Sequence, residues 1–100
     1  MTNNASATWF VYIILASDNS LYTGITTDIE RRWRQHSGAI VGGARFFRGR
    51  KPEKLVYVEE GADRSSVSKR EATIKKLARK DKLKLLSSPL NKSADWSSTL

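Results

Sequence analysis

Three polar side chains stand where apolar ones are expected, and they are the informative residues of this 100-residue chain. At 100° per residue, Ile29, Arg32, Trp33 and His36 fall on one stripe of a helix. Arg31, Arg34 and Gln35 lie on the opposite side, where solvated charges belong. Arg32 and His36 therefore occupy the face that packs. A later stretch repeats the pattern. Val67, Glu71, Ile74 and Ala78 share a stripe with Leu77 beside it, so Glu71 points towards the apolar side. A carboxylate so placed is costly unless it is paired, protonated or bound to a metal. Taken singly, each residue has an ordinary reading: Arg32 snorkels past Trp33, His36 is a partly buried histidine with a satisfied hydrogen bond, and Glu71 bridges to Arg32 or Lys75. Taken together, three inward polar residues on two helices can line one pocket at a sheet surface.

The strands add two phenols. Tyr12 shares a strand face with Phe10 and Ile14, and Tyr22 shares one with Gly24. Tyrosine in a strand is usually core filler with its hydroxyl at an edge. Glycine weakens a strand, and the usual reason for one is a bulge or the close approach of something to the backbone.

The elements that must position these residues read as follows. Trp9–Leu15 is apolar on both faces and rich in β-branched and aromatic residues, which marks a central strand covered on both sides. Ser17–Ser20 is a turn of short polar side chains, and Leu21–Thr26 is the return strand. Thr27 and Glu30 form a capping box, so a helix starts there and runs to about Ser37. A basic loop with Gly38, Gly42, Gly43 and Gly49 follows, closed by Pro52. Lys54–Glu60 is a third strand. Arg64–Ser87 is helical, with a break placed near Lys80–Asp81, and Ser88-Pro89 ends it. The order is β-β-α-β-α with room for a further C-terminal helix: an α+β fold, one domain over residues 9–87, with flexible termini at 1–8 and 88–100.

Composition narrows the function. The chain has no cysteine and one histidine, which excludes a disulfide scaffold and a thiol nucleophile and argues against structural zinc. The longest apolar run is too short to span a membrane, so a cytoplasmic protein is expected. Eighteen Lys and Arg against ten Asp and Glu give a net charge of +8. The excess is confined to residues 28–54, net +5, and residues 64–84, net +7. Such a balance favours partners that carry phosphate.

The order Phe10-Val11-Tyr12, Tyr22-Thr23-Gly24, Arg32, His36 and Glu71 resembles the GIY-YIG nuclease domain. The likeness covers roughly residues 9–87. It is greatest to the small stand-alone bacterial members, which also carry segments like Leu21–Thr27 and Arg48–Pro52. The first tripeptide is Phe-Val-Tyr rather than Gly-Ile-Tyr and the second Tyr-Thr-Gly rather than Tyr-Ile-Gly, but both tyrosines are kept. Many members have an asparagine near the domain end, for which Asn91 is the only candidate. The resemblance implies a three-stranded antiparallel sheet flanked by helices.

It also implies phosphodiester hydrolysis. Glu71, a hard oxygen ligand, would hold one divalent cation, Mg²⁺ or Mn²⁺, bound weakly without substrate because a single carboxylate makes a weak site. Arg32 would grip the phosphate with its bidentate fork. Tyr12 and Tyr22 would share the general-base role, with Tyr12 favoured, although a free phenol titrates near 10. His36 would polarise the tyrosine or assist proton transfer, and Gly24 would let the backbone approach. Arg45, Arg48, Arg50 and Lys51 on the loop, with Lys69, Arg70, Lys75, Lys76 and Arg79 on the second helix, would carry the phosphate backbone. Phosphate contacts position nucleic acid without reading its sequence, so structure-directed cleavage is expected, on DNA more than RNA, by a monomer. Two rivals share the charge: an inactive DNA- or RNA-binding module of the same fold, and a small basic protein associated with RNA or ribosomes.

Overall fold

A run that is apolar on both faces belongs in the middle of a sheet, and β1 (Trp9–Ala16) lies there. The computed structural model describes residues 8–97 and 100. β1 pairs antiparallel with β2 (Leu21–Thr26) on one side and β3 (Pro52–Gly61) on the other, in the order β2-β1-β3. Alternation sends Val11 and Ile13 to one face and Tyr12 and Ile14 to the other, and all four are buried. The hairpin turn holds Asn19 at φ 71°, with the Asp18 carboxylate accepting from the Ser20 amide at 3.1 Å. β3 starts two residues earlier than expected, at Pro52, which an edge strand tolerates.

Each face carries its own helices. α1 (Ile29–Ser37) covers the Tyr12 face, where Ile29 joins Tyr12, Ile14 and Val58 in one cluster. Its N-cap is Asp28, not Thr27: the Asp28 carboxylate accepts from the Arg31 amide at 3.0 Å. A full negative charge at the helix N-terminus is favoured over a neutral hydroxyl. Gly38, at φ 85°, ends the helix in the left-handed conformation. α2 (Arg64–Lys75) covers the opposite face, with Val67 and Ile74 buried against Val11, Ile13 and Tyr57. Its N-cap is Asp63, in a reciprocal capping box with Ser66.

The long helical segment breaks at residues 76–78 rather than near Lys80–Asp81, and α3 (Arg79–Leu85) follows. The bend lets Leu85 and Leu86 reach the same cluster as Val67 and Ile74. Ala78 is consequently exposed and extended, and the stripe that contained it ends with half-buried Leu77. No helix of the described residues is long and apolar enough to cross a membrane.

The expectation of a flexible tail is corrected for residues 91–97. The Asn91 amide accepts from the Val58 and Ser93 amides and donates to the carbonyls of Val56 and Leu86, at 3.0–3.2 Å. Lys92 N–H adds a 2.7 Å bond to the Val58 carbonyl. The chain thus covers the open edge of β3, whose backbone groups need partners. A short 3₁₀ helix, Ser93–Trp96, then sets Trp96 edge-on against Phe10, with ring centroids 5.2 Å apart. The other expected flexible segment, residues 1–8, lies outside the described residues except for exposed Thr8.

Candidate active site

Tyr12 stands directly opposite Gly24 across the β1–β2 pair. A methyl group at position 24 would come within 2.5 Å of the Tyr12 hydroxyl oxygen and 2.6 Å of Cζ. What approaches the glycine is therefore the phenol of Tyr12 itself, lying flat across the neighbouring strand. Gly24→Ala is expected to push the hydroxyl aside, lowering any activity that uses it at least a hundredfold and stability by about 1–3 kcal/mol. Activity assays beside thermal melts check this, and an alanine variant with full activity would show that the position of the phenol is unimportant.

The Tyr12 hydroxyl lies 2.7 Å from His36 Nε2. The other ring nitrogen, Nδ1, accepts from the Ala44 backbone N–H at 3.2 Å. A neutral imidazole has one donor and one acceptor, so its hydrogen is on Nε2 and points at the Tyr12 oxygen. His36 is thus a donor to Tyr12, arranged to stabilise a phenolate. It stays neutral: burial first, and then the nearby Arg32 charge, lower its pKa to about 4. Burial first, and then neighbouring Tyr22, push the Tyr12 phenol far above its ordinary 10, while Arg32 pulls the other way.

A histidine whose pKa falls from 6.5 to about 4 on folding makes stability depend on pH. Between those values the unfolded chain binds more protons, so stability rises with pH and is lost as pH falls towards 4. The expected loss is about 2 kcal/mol, after allowance for relaxation around the charged ring. Asp18, held at about 2 chiefly by the Ser20 hydroxyl and amide, titrates below this window. Denaturant melts at pH 4.5 and 7 measure the difference, and His36→Gln should flatten it.

Arg32 uses one nitrogen for structure. Its Nη1 donates to Gln35 Oε1 and to the Gly42 carbonyl, both at 2.8 Å. Gln35, expected on the solvated side, is thus half-buried and braces the arginine. The rest of the guanidinium lies beside the Tyr12 hydroxyl, whose pKa it pulls down, and forms the remaining half of the fork. Arg32 and Tyr12 line a recess of about 10 Å³ with Ile14, Ile29, Trp33 and Leu55, room for about one water. Tyr22 packs beside the Tyr12–His36 pair, its ring 6.2 Å from Tyr12, 5.2 Å from His36, and 5.1 and 5.2 Å from Phe46 and Phe47. The two phenylalanines carried no sequence signal, since they sit in a stretch read as a basic loop.

Tyr12, Tyr22, Arg32 and His36 therefore come together. Glu71 is carried on α2, which packs on the other face of the sheet, and no hydrogen bond or ion pair among the described residues links it to the four. Its partner is Lys75 at 3.3 Å, one of the two ion-pair partners weighed from the sequence. β2 is an edge strand and α2 lies over β1 and β2, so the two faces meet along that edge. Among the described residues no three His, Cys, Asp or Glu side chains gather at one point. For a divalent cation the donor set is one half-buried carboxylate whose partner is exposed. A hard divalent cation held there would have to complete its shell with water and phosphate oxygens.

The expected phosphate-binding residues divide. Arg70 is committed to Glu59, its Nε donating to both carboxylate oxygens at 3.0–3.1 Å, and the same carboxylate accepts from the buried Tyr57 hydroxyl. Arg50 is paired with Asp18 at 2.8 Å, donates to the Phe46 carbonyl and lies 4.2 Å over the Phe46 ring. Both arginines hold the fold where the sequence suggested free cations, and Lys75 is tied to Glu71. Arg45, Arg48, Lys51, Lys69, Lys76 and Arg79 are exposed, with no ion pair among the described residues.

Residues 8–84 match the family model of the GIY-YIG catalytic domain. UPF0213 protein DP2720 from Desulfotalea psychrophila is 53% identical over 70 residues, which are 70% of this chain and 63% of that protein, under two thirds of its length. UPF0213 protein YhbQ from Escherichia coli K12 is 42% identical over 78 residues, 78% of this chain and 76% of that one. The solution NMR structure of UPF0213 protein BH0048 from Bacillus halodurans is similar with a TM-score of 0.54 and 32% identity, covering 91% of this chain and 95% of that one.

Proposed function

Since the chain belongs to the GIY-YIG family, we propose that it is a metal-dependent endonuclease that hydrolyses phosphodiester bonds in DNA, selecting substrates by structure rather than sequence. The observation that carries this reading is the chain of contacts from the Ala44 amide through His36 to the Tyr12 hydroxyl, ending beside the Arg32 guanidinium. Simple phosphate binding has no use for a phenol held in that way.

In this reading Arg32 receives the phosphate through Nη2 and Nε and stabilises the charge that develops on it. Tyr12, once it has lost its own proton to solvent, accepts a proton from the attacking water. The water oxygen bonds to phosphorus as the bond to the 3′ oxygen breaks. The His36 Nε–H and the Arg32 charge both favour the phenolate over the phenol. A divalent cation, Mg²⁺ or Mn²⁺, held by Glu71 would supply Lewis-acid stabilisation of the phosphate and the leaving oxygen. The six exposed cations on the loop and around α2 carry the flanking phosphates.

Because Tyr12 is buried and protonated at neutral pH, cleavage should rise about tenfold per pH unit through the neutral range. It should show no inflection near 6.5, since His36 has already lost its proton above about 4. The same burial favours the second reading, a binding module of the same fold with little activity at neutral pH. Labelled branched, nicked, single-stranded and duplex DNA, with RNA counterparts, incubated with Mg²⁺ or Mn²⁺ from pH 6 to 9, separate the two. Metal-dependent cleavage that climbs with pH supports the nuclease. Binding with no cleavage at any pH supports the module.

A further inference from the structure

We propose that the cleft behind Trp33 is a subsite for one unpaired nucleobase, next to the phosphate held by Arg32. This rests on the nuclease reading and gives its substrate class: a strand that is single or carries a base splayed from its stack. The cleft has a volume of about 190 Å³ and is lined by Trp33, Glu53, Lys54, Leu55, Ser97 and Leu100. Trp33 and Leu55 also line the Tyr12–Arg32 recess, so a single wall of side chains separates the two. The recess itself, at about 10 Å³, has no room for a base.

The chemistry of the walls agrees. The indole of Trp33 and the side chain of Leu55 offer a flat apolar face for stacking. Glu53 only accepts hydrogen bonds when ionised, and neither it nor Lys54 has an ion-pair partner among the described residues. A carboxylate beside a stacking face suits a base with an exocyclic amino group, as in cytosine or adenine. Lys54 adds a cation for the backbone. A paired base cannot enter, because its amino edge is occupied and both its faces are stacked.

The test measures binding in EDTA, where cleavage is suppressed, using a labelled 12-mer of deoxycytidine and a 12-mer of abasic deoxyribose phosphate. The wild-type chain should bind the base-bearing strand about tenfold more tightly. Trp33→Leu should bind both strands at the abasic level, Trp33→Phe should retain most of the preference, and Glu53→Gln should reduce the preference for cytosine over thymine. A Trp33→Leu protein with the wild-type melting temperature and wild-type preference overturns the subsite and leaves the nuclease reading standing. Failure of the wild type to bind either strand also overturns the subsite, while the nuclease reading is then decided by the branched, nicked and duplex substrates. Should Trp33→Leu not fold, cytidine monophosphate is titrated into the wild-type protein against ribose 5-phosphate. The indole N–H resonance that Trp33→Phe removes should shift with the nucleotide alone, and an unmoved resonance overturns the subsite.

Discussion

Arg32→Lys is expected to lower single-turnover cleavage by about a thousandfold while nucleic-acid binding falls only a few-fold. Lysine keeps the charge, which dominates the attraction of a phosphate at long range. It lacks the planar fork, and only the fork can brace the loop through Nη1 and present two further donors to the phosphate. Those donors matter most when charge builds up on the phosphate, and removing one such fixed donor typically costs two to three orders of magnitude in rate. The Gly42 carbonyl and Gln35 Oε1 lose their partner in the same substitution. Both lie at a loop that water can reach, so a stability loss of about 1 kcal/mol is expected. Rate, affinity and melting temperature on one preparation distinguish the roles. A lysine variant that cleaves at the parental rate would reduce Arg32 to a clamp on the loop.

How much of this was legible in the sequence follows from the range of the forces involved. β1 announces itself because its burial on two faces is written into consecutive residues. Arg32 and His36 do so because a helix turns local spacing into a face. Tyr12 and Gly24 each stand out in the sequence, but their relation does not, since only the strand register makes a phenol the thing that approaches the glycine. The direction of the His36–Tyr12 bond is set by a backbone amide at Ala44, and a backbone amide has no sequence signature. The break after Lys75 has no sequence signal for a related reason. No proline or glycine causes it, and the chain bends to bring Leu85 and Leu86 onto a distant core. The tail misled because Asn91 and Lys92 look polar and free until an exposed β3 edge is there to accept them. Charge was the least informative guide, because Arg50 and Arg70 count towards the net charge yet are occupied by Asp18 and Glu59.

Glu71→Gln separates the two readings of the one residue that stands apart from the other four. As an ion-pair partner Glu71 matters little: the Lys75 side chain is 53% exposed, and the pair is an i,i+4 contact on a helix surface. Such pairs contribute about 0.3–0.5 kcal/mol, and glutamine keeps the size and helix propensity of glutamate. The melting temperature should therefore move by no more than a few degrees. As a cation ligand Glu71 matters greatly. It is the only carboxylate proposed for the metal, so its loss should lower cleavage at least a hundredfold. Raising Mg²⁺ or Mn²⁺ should recover little of that. Binding should hold or tighten, because a negative charge has left a strongly basic surface. The combination of a near-parental melt, retained binding and lost cleavage is the signature of a metal ligand, and no surface ion pair produces it. A variant that cleaves like the parent would remove Glu71 from the site. The cation would then have to be held by phosphate and water alone on the Tyr12 face, and the carboxylate on α2 would be there only for Lys75.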